Sequence, residues 1–298
     1  MQLQPSGVAM KRVLLALVLA AAFFVVNFSL DRQMANRPVV VKLGYSPSGQ
    51  VLKLVAGDLK PLVAEFNVLR VVIYFGSLVE KWKSRIQLPP EYPNMFRTIE
   101  TAVRLDPYNM DAYYFAQAAF TWQVGHASDV NYLLDYGMKY RTRDWQLPYF
   151  AGFNAAYFLH EYDSAATYMQ RAARLSGHDL LTNLTARYFY ESGREDLGIA
   201  FLRDMIARTT DKKERTIYEL RLKALIAVQK LNSAVRRYRA EHGALPENLQ
   251  ALVKIGYLLR IPDDPYGGEF FLDKRGMVRT SSQMAMARST GKSGGEND

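Results

Sequence analysis

Residues His160–Leu175 read HEYDSAATYMQRAARL, and the fold turns on this stretch. Ala165, Met169 and Ala172 stand four and three residues apart, so a helix carries them on one face. The same spacing recurs at Met95, Ile99 and Ala102, at Val130, Leu134 and Gly137, and at Gly198, Leu202 and Met205. The first members lie about 34 residues apart. Further helical segments fall between them at Asp111–Trp122, Trp145–Leu159 and Asp179–Glu191. Turn signals at Asp106-Pro107, Gly125, Gly177 and Ser192-Gly193 separate the helices. One short helix pair cannot bury its apolar face alone, and stacking neighbours makes a continuous core. The expected fold class is mainly α, an α-solenoid over residues 91–210.

The segment RTIETAVRLDPYNMDAYYF, with Ala102, Leu105, Asp106, Pro107, Asn109 and Ala112, resembles the junction between tetratricopeptide (TPR) repeats, and EYDSAATYMQRAARL resembles a second copy of the repeat's B helix. The later copies depart from the pattern. Gly137 and Met205 stand where a small alanine is usual, junction prolines are missing after Tyr140 and Leu175, and the small A-helix residue slips to Gly152. The resemblance implies that each A helix lines a concave surface. Its groove positions would be Phe115, Ala119 and Trp122, then Phe150, Asn154 and Tyr157, then Asn183, Arg187 and Tyr190. Aromatics with a few amides and one guanidinium suit a protein or peptide partner. The alternative is that these aromatics pack between helices.

Upstream, Val13–Leu30 reads VLLALVLAAAFFVVNFSL, without a charge. As a helix it would span ~27 Å, close to the hydrocarbon thickness of a bilayer. Lys11 and Arg12 precede it in a short N-terminus, residues 1–12, which the positive-inside bias puts in the cytoplasm. The expectation is a single-pass signal anchor over 13–30 that contacts the lipid bilayer and leaves the bulk in the periplasm of a bacterial inner membrane. A cleaved signal peptide is the competing reading. Its apolar core would be shorter, and Phe28-Ser29-Leu30-Asp31 makes a poor cleavage site. A buried soluble helix is the third reading.

In residues 31–90, two β-rich runs of Pro38–Val55 flank Ser46-Pro47-Ser48-Gly49 and read as a β-hairpin. Ala56–Trp82 reads as a helix with Asp58 as its cap and Pro61 in its first turn. Leu62, Phe66, Leu69, Ile73 and Phe75 lie near one face, and valines fill much of the rest. A helix so apolar is buried or packs on a partner. A second span is the lesser reading, because Glu65 and Arg70 interrupt the run.

Residues 211–280 begin with a long amphipathic helix, Asp211–Glu241, whose many Lys and Arg residues read as a solvated face. No nucleic acid is expected. The following stretch, Ala240–Val278, resembles the C-terminal part of major pseudopilins of type II secretion systems. The resemblance rests on Tyr238, Gly243, Leu245-Pro246, Gly256-Tyr257, Ile261-Pro262, Asp264-Pro265, Tyr266 and Gly267. It implies a small α/β cap, with Phe270-Phe271-Leu272 pairing to Met277-Val278-Arg279. That family's processed N-terminal segment and calcium loop are not found here, and Asp263 and Asp264 alone are poor calcium ligands. Residues 281–298 read as a disordered tail.

The 298 residues contain no cysteine, which removes disulfides and thiolate chemistry, and a formal charge of +9 favours acidic partners only weakly. His126, His160, His178 and His242 show no metal-binding spacing, and no nucleophile elbow or phosphate loop is visible. The expected function is a non-enzymatic, membrane-anchored periplasmic scaffold or adaptor without cofactor or metal, serving envelope assembly or secretion. The alternative is a component of a type II secretion or type IV pilus-like system that works through the pseudopilin-like part.

Overall fold

The computed structural model describes residues 7–35, 42–44, 47, 49–83 and 89–284, with side chains left out at 7–14, 31–35 and 80–83. The chain is mainly helical, with one small two-stranded sheet. It divides into two compact units, Met1–Gly44 with Tyr74–Pro90, and Tyr45–Ile73 with Glu91–Asp298.

The first unit contains α1 (Gly7–Ala35). From Leu15 to Leu30 every residue is exposed, although nearly all are apolar. Asn27 turns its side-chain amide back on the helix, donating to the Phe23 carbonyl at 3.0 Å. A helix that is apolar all round and covered nowhere matches a lipid environment better than water.

The second unit begins with α2 (Gly49–Ala56), a single 3₁₀ turn and α3 (Lys60–Lys83), the last part of which belongs to the first unit. The expected hairpin over 38–55 is corrected here. Gly49–Ala56 is helical and packs on α4 (Tyr92–Leu105), with Gly49 against Thr101. The remainder of that expected hairpin falls largely outside the described residues. The helix expected over Ala56–Trp82 is present as α3 from Lys60, buried along one side only: Ala64, Val68, Val71 and Phe75 are buried, whereas Leu62, Phe66, Leu69 and Ile73 are exposed. The run Gly49–Val79 is long and apolar enough to cross a membrane, by length and composition.

From α4 onward the helices pack in sequence. They are α5 (Met110–Phe115), α6 (Ala127–Met138), α7 (Gln146–Asn154), α8 (Tyr162–Ser176), α9 (Asp179–Glu191) and α10 (Glu195–Arg208), each in contact with the next. Every position of the repeating spacing is buried, from Met95 in α4 to Met205 in α10. The departures from alanine have local causes. A Cβ on Gly137 would sit 2.6 Å from the ring of Tyr113, which is fully buried. A Cβ on Gly198 would sit 2.8 Å from Leu225. At the junction, Asp106 accepts from the Tyr108 N–H, and Asn109 caps α5 by accepting from the Ala112 N–H.

Asp211 caps α11 (Lys212–His242), accepting from the N–H groups of Lys213 and Glu214. The short α12 (Leu249–Lys254) precedes β1 (Phe270–Leu272) and β2 (Val278–Thr280). The strands are antiparallel, with Phe271 opposite Arg279. The second strand lies one residue later than expected, because Asp273 caps the turn by accepting from the Met277 N–H, and Gly276 takes a φ of 78°.

The cap is continuous with the helical core. One cluster of buried residues runs from Ala166 through Leu231 to Val278 and Met284. Buried Asn232 on α11 donates to Glu195 on α10 and accepts from the Val278 N–H on β2. The expected disordered tail from Ser281 is corrected over its first residues: the Ser282 hydroxyl donates to Asp264 at 2.6 Å, and Met284 is buried. The rest of that tail, 285–298, lies outside the described residues.

Candidate functional site

Two helices of the middle region, α5 and α7, change pitch as they continue. Ala116–Val124 and Ala155–Leu159 are π-helical, and each closes with a left-handed residue, Gly125 and His160. A π turn inserts a residue into the helical register, so side chains beyond it rotate onto a new face. The buried amides fit this. Gln117 and Asn154 exchange two hydrogen bonds of 2.8 Å between the neighbouring helices. Asn154 also donates to Asn131 at 3.0 Å, and Asn131 donates to the Ala151 carbonyl.

Beside that amide ladder the two helices carry aromatic rings. Trp122 lies 5.8 Å from both Phe153 and Tyr157 and meets Phe158 edge-on at 5.0 Å. Phe153 and Tyr157 are stacked. The band continues from Phe153 through Tyr149 to Phe150 and Tyr114. An open groove of about 470 Å³ runs along it, lined by Tyr114, Gln117, Ala118, Trp122, Gln123, Tyr149, Phe150 and Phe153. No charged side chain lines it. Trp122 is 52% exposed and Tyr157 59%. Such a surface offers ring faces and the exposed amide of Gln123, chemistry suited to an uncharged extended peptide rather than to an ion.

The expected groove residues divide. Trp122, Phe150 and Tyr157 meet in this band. Phe115 is half-buried against the core ring of Phe120. Asn154 is fully buried in the amide ladder, and Ala119 is buried too, so neither faces a groove. Asn154 is drawn into the buried pair with Gln117, and Tyr114 and Ala118 stand exposed instead. The third set does not form a groove. Asn183 is half-buried, with its carbonyl accepting from Arg221. Tyr190 is buried and accepts from the Thr280 N–H, beneath the Arg279 guanidinium. Arg187 alone of the three is exposed.

Titratable groups form structural staples elsewhere. The Tyr92 hydroxyl donates to Asp129 at 2.7 Å, its ring stacks on His126, and burial with the Asp129 carboxylate pushes its pKa up. In the cap, burial would raise the pKa of Asp264. The hydroxyls of Ser282 and Thr280 and the N–H groups of Tyr266 and Gly268 outweigh that and hold it below the usual carboxylate range. Among the described residues no cluster of His, Asp or Glu has the makings of a metal site.

No family model, curated protein or solved structure matches this chain.

Proposed function

We propose that the helix pairs of residues 91–210 stack as a TPR-type solenoid, and that the protein is a non-enzymatic scaffold tethered to a bacterial inner membrane with its bulk in the periplasm. It holds an extended segment of a partner protein in the aromatic groove, within an envelope-assembly or secretion apparatus. The observation that carries this reading is the uncharged band in which exposed Trp122 and Tyr157 meet half-buried Phe153 and Phe150, on two helices joined by a buried amide pair. Rings of this kind supply contact area at small conformational cost, and they dominate peptide and protein recognition. The burial of every position in the repeating spacing supports the stacking. The uncovered apolar helix α1, behind Lys11 and Arg12, supports the tether.

The test is crosslinking from membranes, comparing wild type with the double variant Trp122→Ala, Tyr157→Ala. Both side chains are more than half exposed, so the variant should keep its helical content and melting temperature. At least one partner captured by the wild type should be lost. Unchanged recovery of every captured protein would count against the groove.

A second reading, a secretion-system component that works through its cap, is favoured by one arrangement: the Ile261–Gly268 loop is tied by Asp264 to a small sheet seated on the long helix α11. N-terminal sequencing of the membrane-bound protein separates the two, since processing just before Val13 would favour the cap.

A further inference from the structure

The helix α3 turns its most apolar face outward. Val55, Leu59, Leu62, Phe66, Leu69 and Ile73 follow one another at steps of three and four and are between 49% and 76% exposed. A water-soluble surface rarely leaves so long a stripe uncovered. We propose that this face lies flat on a lipid bilayer, as a second and shallower membrane contact beside the anchor. The proposal rests on the reading of α1 as a membrane anchor. Only residues 36–48 separate α1 from α2 in sequence, a tether of at most ~50 Å. A chain held at a membrane by α1 therefore keeps this stripe within reach of the same lipid.

Two other occupants fit less well. The run Gly49–Val79 is long enough to cross, but Glu65 stands at its centre. The Glu65 carboxylate accepts from Asn109 Nδ2 at 2.7 Å, at the α4–α5 junction, while Ala64, Val68 and Val71 are buried. Crossing would carry that carboxylate and its amide partner to the bilayer midplane, where polar groups are costly. Lying at the interface leaves them at headgroup level, where polar groups are tolerated. A second copy of the chain would need an unbroken helical seam. Here Gly57 takes a φ of 51° between α2 and α3, yet the apolar exposure continues across the break, with Leu54 85% exposed. A fluid lipid surface accommodates such a break.

The absence of cysteine makes the test direct. Single spin labels are placed by Leu62→Cys, Phe66→Cys and Ile73→Cys on the stripe, by Phe24→Cys in α1 and by Leu180→Cys on exposed α9. The full chain is reconstituted in nanodiscs of phosphatidylethanolamine with phosphatidylglycerol, and collisions with oxygen and with a water-soluble nickel complex are compared. The stripe labels should favour oxygen several-fold over the Leu180 label, yet less than the Phe24 label. Stripe labels as open to nickel as Leu180 would overturn the proposal. So would labels as deep as Phe24, which means crossing, or labels shielded from both reagents with dipolar broadening between copies, which means self-association. The Phe24 label reads the anchor separately. If it is open to nickel, the anchor reading fails, and with it the proposal of a second contact beside the anchor.

Discussion

Asn154 has no exposed surface, and its amide makes three hydrogen bonds, two with Gln117 and one with Asn131. Truncating it removes all three and strands two buried amides, which costs far more than the bonds themselves contribute. Asn154→Ala should therefore destabilise the protein by about 2–4 kcal/mol. Chemical denaturation in detergent checks this, and a loss within error would mean that water replaces the amide. Gly137 is the second position where one atom matters. Gly137→Ala should cost about 1–3 kcal/mol, because its Cβ meets the Tyr113 ring. In a Tyr113→Leu background the same change should be nearly neutral, and a double-mutant cycle without coupling would refute the contact.

At the scale of elements, the buried amide pair and the cap loop do the positioning. Asn154 is drawn inward to Gln117, so Phe153 rather than Asn154 stands beside Trp122. The cap loop depends on Asp264, which is buried and accepts from the Tyr266 N–H and from the Thr280 and Ser282 hydroxyls. Asp264→Asn keeps the volume but removes the charge and forces an N–H₂ against those donors. It should cost about 1–3 kcal/mol and speed hydrogen exchange at the loop amides of Tyr266 and Gly268. Unaltered exchange there would mean that the carboxylate does not hold the loop. Of these elements, the helices and turns were legible from Ala165, Met169 and Ala172 and their counterparts. The buried amide pair was not, because Gln117 and Asn154 lie far apart in sequence. A short run such as Gly49–Ala56 also escaped. Its valines and leucines suit a strand, and packing on α4 tipped it to helix.

At the scale of the whole molecule, the small sheet and helices α8 to α12 behave as one body, since a single core reaches from Ala166 to Met284. Acid should loosen that body from the cap inward. Asp264 and Asp273 are held below the ordinary carboxylate value of 3.8, chiefly by hydrogen bonds that overcome the cost of burial. Their contribution is present above about pH 4 and is lost as the pH falls through their lower folded values. Acid titration of the aromatic circular dichroism should show a transition below pH ~4 that is diminished in Asp264→Asn. The same transition in both proteins would remove Asp264 from the account.

The sequence by itself determined the helices from Tyr92 onward, their spacing, the apolar N-terminal run and the C-terminal hairpin, because periodicity and turn chemistry are local and act on neighbouring residues. Only the tertiary structure decided which aromatics reach the surface, that the cap shares the core of the last helices, and that the stripe from Val55 to Ile73 faces outward. Those outcomes depend on contacts such as Gln117 with Asn154, Asn232 with Val278 and Glu65 with Asn109, and no local pattern encodes a pairing between residues that distant.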